Sequence, residues 1–169
     1  MSLFIDEIFN YYPARFPTPG LSEISMGEGA MGLLLAAVMT TDDWRSEEVA
    51  EETLKKVFPV ASKMRLLESH PQDEIEEMCR KMMDFYKRYG PKPVMEASIM
   101  TVPLSFRVQV FETAARLMPL DQYCDSMSAL MNMAFELKIP EVIRRSVLSA
   151  WTIKSKRMRQ SSSGAQEKA

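Results

Sequence analysis

Histidine is almost missing from this chain: His70 is the only one among 169 residues. It stands beside Pro71 at a helix start, with no nucleophile placed near it by a local motif. Cysteine is scarce as well. Cys79 and Cys124 allow one disulfide at most, and no spacing pattern requires it. No zinc signature is present, so a reduced intracellular protein is the simpler reading. The glycine-bearing stretch Gly27-Glu-Gly-Ala-Met-Gly32 lacks the following Lys-Ser/Thr and the preceding strand of a phosphate-binding loop. A basic excess is also lacking. The net charge of −2 excludes an overall basic nucleic-acid binder and leaves room only for a local basic patch. The start, Met1-Ser-Leu-Phe-Ile-Asp-Glu7, is acidic where a signal peptide would be basic. The most apolar run, Met31-Gly-Leu-Leu-Leu-Ala-Ala-Val-Met39, falls far short of the roughly 20 residues a membrane-spanning helix needs. These absences predict a cytoplasmic protein.

Hydrophobic residues make up 46% and charged residues 26%, and the length suits one domain with a real core. Fifteen methionines make that core adaptable, because methionine is flexible and fills irregular gaps. Valine and isoleucine recur at helical spacing, and no two-residue hairpin signal joins alternating runs. The predicted fold is all-α, a single-domain bundle of eight or nine helices over residues 1–159, followed by a disordered tail at 160–169.

The expected elements follow from caps and breakers. Phe4, Ile5, Ile8, Phe9 and Tyr12 share one face of a helix over 2–12, with Ser2 as N-cap and Pro13 as its stop. That helix would dock on the core or serve as an arm to a partner or second subunit. A Pro-rich loop covers 13–22. Ser22 opens a helix to about Thr41. In it Gly27, Gly29, Gly32, Ala30, Ala36 and Ala37 form small surfaces, which predicts close approach of a neighbouring helix and a central, buried position. Further helices are expected over 46–57, 59–69 (opened by Pro59), 71–90, 92–101, 103–118, 121 or 126 to 138, and 140–159.

A faint internal echo runs through the chain. Ala36-Ala37 aligns with Ala114-Ala115 at an offset of 78 residues, which sets Asp43 against Asp121 and Glu47 against Asp125. After a three-residue shift, Val57-Phe-Pro59 aligns with Lys138-Ile-Pro140, each proline expected to open a helix. The unit is an apolar Ala-rich helix, a turn containing Asp, and then a Ser/Glu start to the next helix. In the second half it reads Leu104-Ser-Phe-Arg-Val-Gln-Val-Phe-Glu-Thr-Ala-Ala115, Asp121, and Ala134-Phe-Glu-Leu-Lys-Ile-Pro140. This order, over roughly residues 25–155, resembles the TerB-like family named for tellurite resistance. The resemblance implies an all-helical domain with two pseudo-repeated halves, an acidic metal site, and a link to stress or tellurite resistance. The turns here, Thr41-Asp42-Asp43-Trp44 and Leu120-Asp121-Gln122-Tyr123, carry no glycine where the family turn has one.

Two surfaces carry candidate chemistry. Asp42, Asp43, Asp121 and Asp125 would face one another across the pseudo-repeat and supply oxygen ligands for Ca²⁺ or Mg²⁺. Alternatively Asp42 and Asp121 cap helices, and Glu47, Glu48, Glu51 and Glu52 form a solvated first turn and face. The stretch from Lys138 to Arg159, most of it the last helix, holds seven basic residues against one acid, Glu141. Of these, Arg144, Arg145, Lys154, Lys156, Arg157 and Arg159 are the candidate partner-binding residues. They would meet a protein partner or a second copy of the chain. Nucleic acid is disfavoured, peripheral contact with an anionic lipid surface stays open, and favourable cations at a helix C-terminus would explain the same pattern. With no acid/base or nucleophile pair in view, the chain reads as a non-enzymatic interaction or scaffold protein, with a metal-binding or metal-sensing protein as the alternative.

Overall fold

Ser25 and Glu28 start the helix around which the rest is built. The Ser25 hydroxyl accepts from the Glu28 backbone N–H at 3.2 Å, and the Glu28 carboxylate accepts from the Ser25 N–H at 3.4 Å. This reciprocal pair satisfies two donors that a helix start would otherwise leave open. The helix that follows, α1 (Met26–Val38), is apolar on every side. Ala30, Met31, Leu33, Leu34, Leu35 and Ala37 have no solvent exposure at all. A helix with that pattern must be enclosed by others.

The computed structural model describes residues 20–39, 46–121 and 123–167, with only the backbone described at 123–124 and 165–167. Six further helices follow α1: α2 (Glu47–Ala61), α3 (Gln72–Tyr89), α4 (Pro91–Thr101), α5 (Leu104–Leu117), α6 (Tyr123–Glu136) and α7 (Glu141–Glu167). Short 3-10 turns lie at Leu21–Glu23 and Arg65–Leu67, and there is no strand among the described residues. The fold is all-α. Helices α2 to α6 all pack on α1, while α7 packs on α5 and α6.

The small-residue face of α1 meets α4, as the glycines predicted. A Cβ on Gly29 would stand 3.0 Å from the Ser98 carbonyl oxygen, and one on Gly32 would collide with the Ser98 hydroxyl. Ser98 can sit in so tight a contact because its hydroxyl is satisfied inside its own helix, donating to the Val94 carbonyl at 2.7 Å. Tyr86 of α3 reaches the same level and donates from its hydroxyl to the Gly32 carbonyl at 2.7 Å.

The described residues hold seven helices where eight or nine were expected. The predicted helix over 2–12 lies outside the described residues. The predicted helix over 59–69 does not form. Pro59 instead lies inside α2, and only the 3-10 turn at Arg65–Leu67 follows. Proline there cannot donate to the Lys55 carbonyl. The buried stripe Ala50, Leu54, Val57 and Ala61 nevertheless runs straight past it, and packing carries the helix to its last buried residue. Pro140, by contrast, does immediately precede α7, so the expected Pro59–Pro140 correspondence does not hold. The last helix also continues through Glu167, past Arg159 where disorder was expected. Ser161, Ser162 and Ser163 donate to the carbonyls of Arg157, Met158 and Arg159, one turn back.

Candidate functional site

Helix α7 is anchored by one face up to Ser155 and exposed from Lys156 to Gly164. Trp151 and Ser155 are buried, with Ile143, Val147 and Leu148 partly buried against the core below them. The Ser155 hydroxyl donates to the Leu120 carbonyl at 2.7 Å, and the Ser126 hydroxyl donates to the Pro119 carbonyl at 2.8 Å. Two buried serines thus fix the partly buried turn after α5 by its carbonyls. Beside that turn a groove of about 450 Å³ opens between α5 and α7. Its floor is Ala115, Leu120, Val147 and Trp151, and Glu112, Arg116 and Lys154 stand among its lining side chains.

The six basic residues singled out from the sequence fall into two groups. Arg144 lies over the Phe135 ring, 4.6 Å from its centroid, and Arg145 pairs with Glu141 one turn back. Both are thereby engaged at the α6–α7 corner. Lys154 lines the groove, and Lys156, Arg157 and Arg159 are exposed just beyond it. Every residue from Lys156 to Gly164 is exposed. Ten residues of helix, about 15 Å, separate Arg144 from Lys154, which sets the first two apart from the last four; of these, Lys154 and Arg157 stand one turn apart on one side of α7, and Lys156 and Arg159 on another.

The acidic candidates are less concentrated. Asp42 and Asp43 lie outside the described residues. Asp121 is exposed in the turn before α6, and Asp125 is exposed in its first turn. Among the described residues no group of three or more His, Cys, Asp or Glu side chains is placed to hold a metal ion. The acids of α2 and early α3 tie those two helices together. Glu47 pairs with Lys87 at 2.7 Å, and Arg80 bridges Glu51 at 2.7 Å and Glu76 at 3.2 Å. The Arg80 hydrogen bond holds the Glu51 carboxyl below its ordinary range, and the same bond raises Arg80. These pairs face water, where such pairs contribute little to stability.

Three titratable groups among the described residues have defined surroundings. His70 Nδ1, just before α3, and the Glu74 carboxylate in its first turn lie 3.0 Å apart. Cys79 carries a free thiol, buried, with its sulfur 3.0 Å from that of Met31. Burial pushes that thiol up to about 12, so it holds its proton at neutral pH and is a poor nucleophile. Burial likewise raises the Tyr86 phenol far above its ordinary value.

Two features were missed from the sequence. Arg107 donates to the carbonyls of Val102, Ile99 and Leu137, joining the ends of α4 and α6 through α5. No local pattern announces a side chain that caps two other helices. The second is a groove of about 440 Å³ bordered by four methionines, Met39, Met95, Met118 and Met133. The abundance of methionine was visible, but these four come from separate helices and converge only in the fold. No helix among the described residues is long and apolar enough to cross a membrane. No protein-family model, curated protein or solved structure matches this chain.

Proposed function

We propose that this chain is a non-enzymatic helical interaction module, and that it takes an acidic, amphipathic segment of a partner protein along the α5–α7 groove. The observation that carries this reading is the arrangement of one face: an apolar floor ending in Trp151, with Arg116 and Lys154 beside it and Arg157 exposed one turn beyond Lys154. An amphipathic helix lays its apolar side into such a groove and its charges onto the rim. The enclosure of Cys79 and Tyr86 leaves neither side chain open to a substrate, which supports a binding role. The likeness of residues 25–155 to the TerB-like family adds an all-helical scaffold and a connection to stress or tellurite resistance, which growth of a deletion strain on tellurite tests directly.

The test of the surface is charge reversal. Lys154→Glu with Arg157→Glu should lose the proteins that wild type retains at physiological salt, and should do so without changing the melting temperature. Wild-type binding should weaken as salt is raised, because rim charges are screened. If the reversed variant keeps the same partners with the same affinity, the groove is not the binding surface.

A further inference from the structure

We propose that the Met-lined groove is a thioether site for a soft monovalent cation, Cu(I). Four methionines stand around one opening of about 440 Å³, and each comes from a different element. Met39 lies just past the end of α1, Met95 on α4, Met118 just past the end of α5 and Met133 on α6. Thioether sulfur is a soft donor that selects Cu(I), whereas hard cations such as Mg²⁺ and Ca²⁺ prefer oxygen. The site shares no residue with the α5–α7 groove, so the two readings stand or fall separately.

Burial and charge both suit such an ion. Met39, Met118 and Met133 are buried and Met95 is partly buried, which shields their sulfurs from water. Among the described residues lining the groove, Glu136 carries the only charge, and it is exposed. No lysine or arginine among them opposes a cation, and one carboxylate beside an apolar cleft raises the local concentration of cations. The groove is wider than a single ion. Methionine is unbranched, with three rotatable bonds, so its sulfur can swing inward. Tyr86 supplies a wall rather than a ligand, because its hydroxyl donates to the Gly32 carbonyl at 2.7 Å. Cys79 and Met31 form a second soft pair, with sulfurs 3.0 Å apart in the core. A thiol must lose its proton to bind a metal, so uptake there weakens as pH falls. A thioether has no proton to lose.

Competition with a colorimetric Cu(I) chelator, under anaerobic reducing conditions, tests this on the full chain. One Cu(I) per chain should pass from the chelator to the protein, as readily at mildly acidic as at neutral pH. Met118→Leu with Met133→Leu conserves volume and should abolish that uptake with helicity unchanged. Cys79→Ala should retain it. Methyl NMR with labelled methionines reads the site without any variant. Ag(I), which shares the soft coordination chemistry, should move the signals of Met39, Met95, Met118 and Met133. The signal of Met64, which is buried but does not line the groove, should stay in place. Copper that stays with the chelator overturns the proposal, as does uptake that survives the leucine variant or is lost in Cys79→Ala. So does an uncharged aromatic probe that moves the groove methyls where Ag(I) does not, since that assigns the groove to apolar ligands.

Discussion

At the scale of single residues, space at α1 sets the largest expected effects. Gly32 has no room for a methyl group: a Cβ there would collide with the Ser98 hydroxyl and stand 2.9 Å from the Met82 methyl. Gly32→Ala should therefore destabilise the fold by about 1–3 kcal/mol, the usual cost of overpacking, read by urea unfolding. Gly164→Ala is its control, because nothing lies within 4 Å of a Cβ at that position. It should leave the unfolding midpoint unchanged and raise helicity slightly by circular dichroism. Cys79 offers a second test. Its thiol is pushed up to about 12 from an ordinary 9.0, so the folded state holds the proton more tightly than the unfolded chain. That stabilisation is fully present below about pH 9 and is lost as pH climbs toward 12. At pH 8 an alkylating reagent should leave Cys79 unmodified in the native protein and modify it in urea. Rapid native alkylation would contradict the burial.

At the scale of elements, the sequence was most legible where a local device acts alone. Pro71 stands at the N-cap of α3, and Gly90, at φ +81°, ends it. The apolar run and its glycines announced a central helix with a close neighbour. The Ser25–Glu28 capping box, which the sequence reading passed over, sets the start three residues past Ser22. What could not be read locally was Pro59, where buried Val57 and Ala61 outweigh a broken hydrogen bond, and the continuation of α7. A helix already nucleated against a core adds residues at little cost. Lys138 shows the same tension. It closes α6 at φ +55°, with the Ile139 N–H bonded to the Ala134 carbonyl and the Lys138 N–H bonded to that of Phe135. This is a Schellman ending, which glycine fits best. Lys138→Gly should raise stability by about 0.5–1 kcal/mol, since a side chain in the left-handed region costs roughly 1–2 kcal/mol and the freer unfolded chain offsets part of the gain. Arg107 acts between elements: Arg107→Ala should cost about 2 kcal/mol, in line with hydrogen bonds from a charged donor. Lysine should not restore it, because one ammonium cannot reproduce the fork that reaches Ile99, Val102 and Leu137.

For the whole molecule, the question is where the body ends and the exposed part of α7 begins. Among the described side chains Ser155 is the last buried one of that helix, and its bond to Leu120 ties α7 to the turn after α5. From Lys156 to Gly164 every residue is exposed, so their removal uncovers no core. Truncation after Arg159 should therefore lower helicity and leave the melting temperature within about 1 °C of wild type. Truncation after Trp151 removes Ser155 and its bond to the partly buried Leu120 carbonyl, at about 0.5–1.5 kcal/mol, or a fall of roughly 1–6 °C for a chain of this size. Equal melting temperatures for the two truncations would mean that α7 is held by Trp151 and the residues before it alone. The contrast also decides how the binding surface must be probed. A chain cut after Trp151 loses Lys154, Lys156, Arg157 and Arg159 together with stability, so lost binding would not distinguish a missing surface from a loosened turn. Charge reversal at Lys154 and Arg157 changes the surface and leaves the Ser155 anchor in place, so a binding defect in that variant belongs to the groove itself.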